Sequence, residues 1–201
     1  MAVDTEDAGS RRTRRDVQRN MERVLQAAQE LFAERGPDVK MEDVARRAGV
    51  GIGTIYRRFP SKEQLFAAVS AVACQHTRHC LAQAADDAHD PLEKLRAIIL
   101  AQYRQSARQA ALIDLRPDPS GVPPDLDRPG LYASIHTLLA RVIAAGQRQG
   151  SIRSGDAQML AAICLELLSP RTVQNLSRLA DDDVDAAADQ VVGFLTAGLR
   201  S

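Results

Sequence analysis

Three short runs of apolar residues near the N-terminus constrain the fold more than any other feature of the sequence. In each run the apolar positions recur at intervals of three and four residues, which is the period of an α-helix packed on one side. Each run stops at a glycine or a proline, residues that commonly end helices. The sequence therefore predicts three helices joined by tight turns. The runs are Met21, Val24, Leu25, Ala28, Leu31 and Phe32 before Gly36-Pro37; Met41, Val44, Ala45 and Ala48 before Gly49; and Ile52, Ile55 and Phe59 before Pro60.

The rest of the sequence also predicts helices and shows no strand-like alternation. Ser61 and Gln64 have the spacing of a capping box and open a fourth helix to about Ala85, and Pro91 opens a fifth. Further helices are expected at about 131–149, 157–168 and 184–199, with a proline-rich loop at 116–130. The helix at 157–168 is apolar on almost every side and is expected to be covered on both faces. The predicted fold class is all-α, with about nine helices.

Composition places the chain among soluble globular proteins. The 201 residues are 45% hydrophobic and 26% charged, which argues against disorder. The three cysteines, the acidic first ten residues and the lack of a long apolar stretch predict a cytoplasmic protein with free thiols. No paired carboxylates, Ser/His/Asp set or glycine-rich phosphate loop stands out, so an enzyme is not expected.

Charge is distributed unevenly along the chain, although the formal net charge is zero. The first ten residues carry −3, residues 11–65 carry +5, and residues 66–201 carry −2. The positive charge therefore coincides with the three predicted N-terminal helices, as expected of a nucleic-acid-binding segment.

The second and third predicted helices have the spacing of a helix-turn-helix. Ala45 is small enough to let the two helices approach, Gly49 supplies the left-handed turn, and Ile55 anchors the second helix on the first. The outward face of the third helix then presents Gly51, Gly53, Thr54, Arg57 and Arg58, while Ile52, Ile55 and Phe59 point inward. Arginine suits guanine in the major groove, and Thr54, Tyr56 and Lys62 suit phosphate oxygens.

Residues 44–63 resemble the DNA-binding signature of TetR-family transcriptional regulators. The resemblance rests on the Ala-Gly-Val turn (Ala48 to Val50), the triplet Thr54-Ile55-Tyr56, Phe59 and the pair Lys62-Glu63, and it covers about residues 17–70. It implies that Thr54, Tyr56 and Lys62 contact phosphates and that Gly53 and Arg57 lie against the groove. Two positions depart from the family pattern. Val39-Lys40 replace the usual Thr or Ser that caps the second helix, leaving Asp38 as a substitute cap, and Arg58 replaces a frequent histidine.

The resemblance further implies a homodimer with a ligand-sensing body. The expected organisation is a disordered, basic-containing arm at 1–15, a helix-turn-helix DNA-binding domain at 16–62, and an effector-binding and dimerisation domain at 63–201. Helices at about 156–169 and 184–200 are expected to form a four-helix dimer interface. Two interpretations of the basic arm at Arg11–Arg15 remain open: it contacts DNA, or it is a solvated tail.

The predicted function is a ligand-responsive repressor that binds a pseudo-palindromic operator and is released by a small molecule. The alternatives are a ligand-independent architectural or nucleoid-associated DNA-binding protein, or a helical enzyme. Polar residues beside apolar helix stripes are candidates for the ligand pocket, and each has an alternative role in the core or dimer: Gln102, Tyr103, His136 and Cys164. No cofactor is expected, and His76, His79 and Cys80 are too few for a structural zinc site.

Overall fold

The structure is a computed structural model that describes residues 5–109 and 128–201, with side chains described for residues 16–36, 38–109 and 130–201. These ranges contain no β-strand, and the predicted all-α fold is confirmed. Within residues 5–109 and 128–201, a short 3₁₀ helix (Gly36–Asp38) accompanies nine α-helices: α1 (Thr5–Arg35), α2 (Met41–Ala48), α3 (Ile52–Arg58), α4 (Lys62–Asp87), α5 (Pro91–Arg108), α6 (Arg128–Gln149), α7 (Ala157–Leu167), α8 (Pro170–Leu179) and α9 (Val184–Leu199). The chain forms two compact units, one ending at Ser70 and one running from Ala71 to Ser201.

The first unit is built on the three apolar stripes seen in the sequence. Val24, Ala28 and Leu31 of α1 are buried, as are Val44 and Ala45 of α2 and Ile55 of α3. Phe32 meets Phe66 edge to face, with ring centroids 5.3 Å apart, so the start of α4 closes this core. The Ser61 hydroxyl accepts a hydrogen bond from the Gln64 backbone N–H at 3.3 Å, as the capping-box spacing predicts.

The second unit has its own hydrophobic core, formed mainly by α5, α6, α7 and α9. Helix α6 packs on α7, and α5 packs on α9. Their buried side chains include Ile98, Ile143, Ala161 and Val191. The chain end is tied to the turn before α7, because the Arg153 N–H donates to the Leu199 carbonyl at 2.8 Å.

Several elements differ from the expectation. Helix α8 was not predicted, although Ser169 caps its start and Pro170 occupies its first turn. Residues 5–15, expected to be a disordered arm, belong to α1, and α6 begins at Arg128, inside the expected loop. The rest of that loop, up to residue 127, lies outside the described residues. Asp38 does not cap α2, because the N-cap position is Lys40 and its side chain makes no capping hydrogen bond.

Candidate nucleic-acid interface

The turn between α2 and α3 has the geometry that the helix-turn-helix spacing predicts. Gly49 has φ +65°, in the left-handed region, and the Val50 N–H donates to the Ala45 carbonyl at 3.0 Å. This hydrogen bond satisfies a carbonyl that would otherwise lack a partner at the end of α2. Ala45 is 5% exposed and Ile55 1% exposed, so both face the contact between the two helices.

Helix α3 presents a polar face to solvent. Gly51 is its N-cap, and Gly53, Tyr56, Arg57 and Arg58 are exposed. Thr54 and Lys62 are half-buried. One part of the expectation is wrong: Ile52, assigned to the inward face, is exposed. The first residue of α3 therefore lies on the same surface as the polar groups, and an apolar side chain joins the face available for DNA.

The basic residues of this unit divide into paired and unpaired groups. Arg47 of α2 holds Glu34 of α1 with two hydrogen bonds of 2.9 Å and reaches Glu30 at 3.3 Å. The hydrogen bond from Arg47 lowers the pKa of the Glu34 carboxyl. Arg35 and Arg46 both pair with Asp43. Arg35 and Arg47 therefore form ion pairs that link α1 to α2, and Arg46 forms an ion pair within α2.

The arginines of α3 have no acidic partner among the described side chains. Arg58 lies over the Phe59 ring, 5.9 Å from its centroid, and Arg57 projects from an exposed position. The uncompensated positive charge of the described first unit therefore includes the α3 surface, where the sequence predicts DNA. An anion is attracted to such a surface more strongly than the net charge of the chain suggests.

A groove of about 270 Å³ lies between α1 and α3, beside this surface. Val24, Ile55 and Phe59 form a buried apolar base, whereas Arg57 and Arg58 stand at exposed positions. The sequence did not single out the α1 residues of this groove as functional. A signal was nonetheless present, since Val17 and Asn20 extend the i, i+3, i+4, i+7 spacing of the α1 stripe by one turn. The complete lining is Val17, Asn20, Met21, Val24, Thr54, Ile55, Arg57, Arg58 and Phe59.

The second unit places two of the four candidate pocket residues together. Gln102 and Tyr103 of α5 are 4% and 0% exposed, and their side chains donate to the carbonyls of Leu168 and Leu167, each at 3.2 Å. Both therefore satisfy carbonyls at the end of α7. The Gln102 Oε1 atom is buried and has no hydrogen-bond partner among the described atoms. Burial raises the pKa of the Tyr103 hydroxyl to about 12.

The other two candidates lie on α6 and α7. Cys164 is 2% exposed in the core of the second unit, and burial raises the pKa of its thiol to about 11. His136 contacts the Gln158 carbonyl through Nε2 at 3.1 Å, near the first turn of α7. Tyr103 and Cys164 thus share one core, whereas His136 contacts the opposite end of α7 from Gln102.

Two helices of the second unit leave large apolar side chains in solvent. Met159 and Ile163 of α7 are 61% and 51% exposed, and Phe194 of α9 is 72% exposed. The expectation that helix 157–168 is covered on both faces is therefore not met within one chain. Large apolar side chains that are exposed to solvent are typical of protein–protein contacts.

Titratable side chains of the described ranges form no metal-binding cluster of three or more. His76 and Cys80 of α4 approach each other at 3.4 Å between Nε2 and Sγ. None of the described helices combines the length and apolar character needed to cross a membrane.

Comparison with known proteins identifies the class to which this chain is similar. The model of the family "Bacterial regulatory proteins, tetR family" matches residues 24–69. An uncharacterized HTH-type transcriptional regulator of Mycobacterium tuberculosis is 31% identical over 169 residues, covering 83% of this chain and 86% of the relative.

Solved structures extend the similarity to the second unit. A TetR transcription regulatory protein from Mycobacterium vanbaalenii is 31% identical, with a TM-score of 0.64 over 94% of this chain and 99% of that one. A putative transcriptional regulator from Saccharomonospora viridis, solved in complex with choline, has a TM-score of 0.75 at 22% identity, over 90% of this chain and 97% of that one. At that identity the likeness concerns the fold alone.

Proposed function

Because this chain belongs to the TetR family of bacterial regulatory proteins, and is thus a DNA-binding transcriptional regulator and not an enzyme, we propose that it is a homodimeric repressor released from a pseudo-palindromic operator by a small molecule. The observation that carries the proposal is the exposed face of α3, where Arg57 and Arg58 have no acidic partner among the described residues. In this proposal residues 16–62 read DNA in the cytoplasm, and residues 63–201 dimerise and bind the effector.

Each residue of the DNA-binding face has a stated role in this proposal. Arg57 donates to a guanine in the major groove, and Gly51 and Gly53 keep the start of α3 close to the base edges. Thr54, Tyr56, Arg58 and Lys62 bind phosphate oxygens, which hold the head in register without reading sequence. Ala45, Gly49 and Ile55 act indirectly, by fixing the angle between α2 and α3.

Fluorescence anisotropy with two duplexes tests these roles. One duplex is selected by the wild-type chain from a random pool, and the other is a scrambled duplex of equal length. Arg57→Ala is expected to weaken binding to the selected duplex about 5- to 150-fold, which follows from roughly 1–3 kcal/mol for a base contact. Lys62→Ala is expected to weaken binding to both duplexes and to lower the salt slope by about one.

The matched control is Arg47→Gln, because Arg47 is held by Glu34 and Glu30 on α1. It removes the same charge from the same unit but is expected to leave discrimination between the two duplexes intact. Equal binding of the selected duplex by wild type and Arg57→Ala would place sequence reading elsewhere. Failure of wild type to select any sequence would favour the architectural alternative.

The exposed side chains of α7 and α9 support the dimer. Met159 and Ile163 are four residues apart and so lie on one face of α7, while Phe194 stands beside Gly193 and Gly198 on α9. A Cβ added at either glycine meets no atom within 4 Å, so the α9 surface leaves room for a partner helix. Two helices from each chain would bury these groups in a four-helix bundle.

An effector site in the second unit is supported by its buried polar groups. Gln102 Oε1 lacks a hydrogen-bond donor, and a ligand with a hydroxyl or amide N–H would supply one. Tyr103 and Cys164 add polar atoms to the same core, and His136 marks a separate polar point on α6. The structural neighbour solved with choline shows that a protein of this fold holds a small molecule.

Native mass spectrometry of the purified chain, followed by anisotropy with the selected duplex, tests the effector. A bound small molecule is expected, and its addition to ligand-free protein is expected to weaken DNA binding about 5- to 150-fold, the range of typical allosteric coupling. Unchanged DNA affinity on adding the recovered molecule would contradict release by that ligand.

A further inference from the structure

The groove between α1 and α3 combines an apolar base with polar groups at its edge. Val24, Ile55 and Phe59 are buried at its base, while Val17 is 60% exposed at its mouth. No aspartate or glutamate lines it. A groove of this composition favours an occupant that carries negative charge and also has an apolar surface.

Asn20 is the polar residue of α1 in this groove. Its side chain is half-buried, and none of the described residues forms a hydrogen bond with its amide. Across the groove stand Thr54, Arg57 and Arg58 of α3. One amide and two guanidinium groups therefore converge on the same space, all of them able to donate hydrogen bonds.

We propose that this groove seats the sugar–phosphate backbone of one DNA strand, with the Asn20 amide donating to a phosphate oxygen and Val17 packing against a deoxyribose. The inference rests on the proposed function and adds α1 to the elements that touch DNA. The groove is continuous with the α3 face because Thr54, Arg57 and Arg58 belong to both. In this proposal α3 enters a major groove, and one DNA strand borders it beside the groove between α1 and α3. That strand carries an apolar sugar next to each charged phosphate, so it matches both the donors and the apolar base of this groove.

The position of Asn20 on α1 provides a matched control. Successive helical residues are rotated by about 100°, so Val17, Asn20, Met21 and Val24 share one face and Gln18 lies about 160° away from Asn20. Gln18 donates to Glu22 at 3.3 Å on the exposed side of α1. Changes at Gln18 therefore alter the same helix without altering the groove.

The first test uses the full chain with Asn20→Ala and Gln18→Ala. Alanine has the higher helix propensity, so loss of folding does not explain weaker binding. Asn20→Ala is expected to weaken binding to the selected and scrambled duplexes equally, by about tenfold, the effect of losing one hydrogen bond to a charged group. The salt slope is expected to stay unchanged because no charge is lost. Gln18→Ala is expected to bind like wild type.

Methylphosphonate substitution localises the contact. Replacing each phosphate of the selected duplex in turn is expected to reveal one position whose penalty in wild type disappears in Asn20→Ala. A second pair, Val17→Glu and Gln18→Glu, adds one negative charge either at the groove or about 100° around the helix from it. Val17→Glu is expected to bind DNA at least about tenfold more weakly than Gln18→Glu, because only the first carboxylate faces phosphate.

The outcomes separate this inference from the function on which it rests. If wild type selects a sequence but Asn20→Ala retains its affinity and the full methylphosphonate pattern, the groove is not a DNA contact. If inorganic phosphate shifts the Asn20 amide resonance while DNA does not, the groove binds free anions and the inference is equally overturned. If wild type selects no sequence, the proposed function itself fails.

Discussion

Gly49 shows how one residue determines the geometry of the helix-turn-helix. Its φ of +65° is reached easily by glycine and at a cost of about 1–2 kcal/mol by residues with a Cβ. An added Cβ would meet the Arg23 guanidinium at 2.5 Å, but that group is the flexible end of a side chain and can move. Backbone conformation, rather than crowding, is therefore the reason for glycine at this position.

Gly49→Ala is expected to lower the free energy of unfolding by about 1–2 kcal/mol. Gly53→Ala is the matched comparison, because an added Cβ there meets no atom within 4 Å and the residue lies inside α3. Alanine at that position is expected to raise the free energy of unfolding by about 0.5–1 kcal/mol. Urea unfolding at one fixed protein concentration measures both, and destabilisation of equal size in the two variants would contradict the assignment of the turn.

The raised pKa values of the buried Cys164 and Tyr103 side chains lead us to expect that the second unit is less stable at alkaline pH. The pKa of the Cys164 thiol is raised by burial to about 11 from 9.0, so the folded state holds this proton more tightly than the unfolded state. The resulting stability is fully present below about pH 9 and is lost as pH rises through about 11. At 1.36 kcal/mol per pKa unit, the loss is about 3 kcal/mol. The Tyr103 pKa, about 12, adds a second decline above pH 10.

Urea unfolding between pH 8 and 11.5 checks this prediction. Cys164→Ala is expected to flatten the decline between pH 9 and 11, whereas Tyr103→Phe is expected to keep that decline and reduce the one above pH 10. A wild-type free energy of unfolding that stays constant from pH 8 to 11.5 would show that neither group is buried in the folded protein.

At the level of helices, the sequence predicted elements well where apolar spacing and caps agree. Helix α2 ends just before Gly49, α3 ends two residues before Pro60, and α5 begins at Pro91 with Asp90 as its N-cap. Helix α8 was missed because it follows α7 after two residues and its buried residues are few. Ile52 was misassigned because a seven-residue helix has too few turns for periodicity to determine its buried face.

The exposed faces of α7 and α9 predict a dimer that a single charge disrupts. Ile163→Asp and Phe194→Asp are each expected to yield monomers, because a carboxylate would be buried without a partner in the four-helix bundle. Leu179→Asp is the control, since Leu179 is 83% exposed but belongs to α8. Sedimentation velocity at micromolar concentration measures the result, and a monomeric wild-type chain would refute the interface.

For the whole molecule, the distribution of charge carries more information than its sum. The zero net charge of the sequence conceals +5 over residues 11–65, and the structure shows which of the described basic residues of the first unit are paired with acids. Arg35, Arg46 and Arg47 form ion pairs with acidic side chains of the same unit, whereas the α3 arginines have no acidic partner among the described residues and are available for DNA. Sequence spacing predicted α3 as the reading helix, whereas the spacing of the α1 residues was recognised as part of a groove when the two helices were placed together.

The candidate effector residues show the opposite relation between sequence and structure. Periodicity marked Gln102 and Tyr103 as polar groups beside apolar stripes, but only tertiary packing reveals that they satisfy carbonyls of α7. Contacts between residues more than sixty positions apart leave no periodic signal in the sequence. The unpaired Gln102 Oε1 likewise depends on the packing of α5 against the end of α7.

Hydroxyl-radical footprinting of the full chain on its selected duplex tests the central claim most directly. A dimer with two reading helices is expected to protect two symmetric patches about 34 Å apart, one in each half of a pseudo-palindrome. Both patches are expected to weaken together in Phe194→Asp, because each head then binds alone. A single protected patch, or uniform protection without sequence preference, would contradict a dimeric operator-binding repressor.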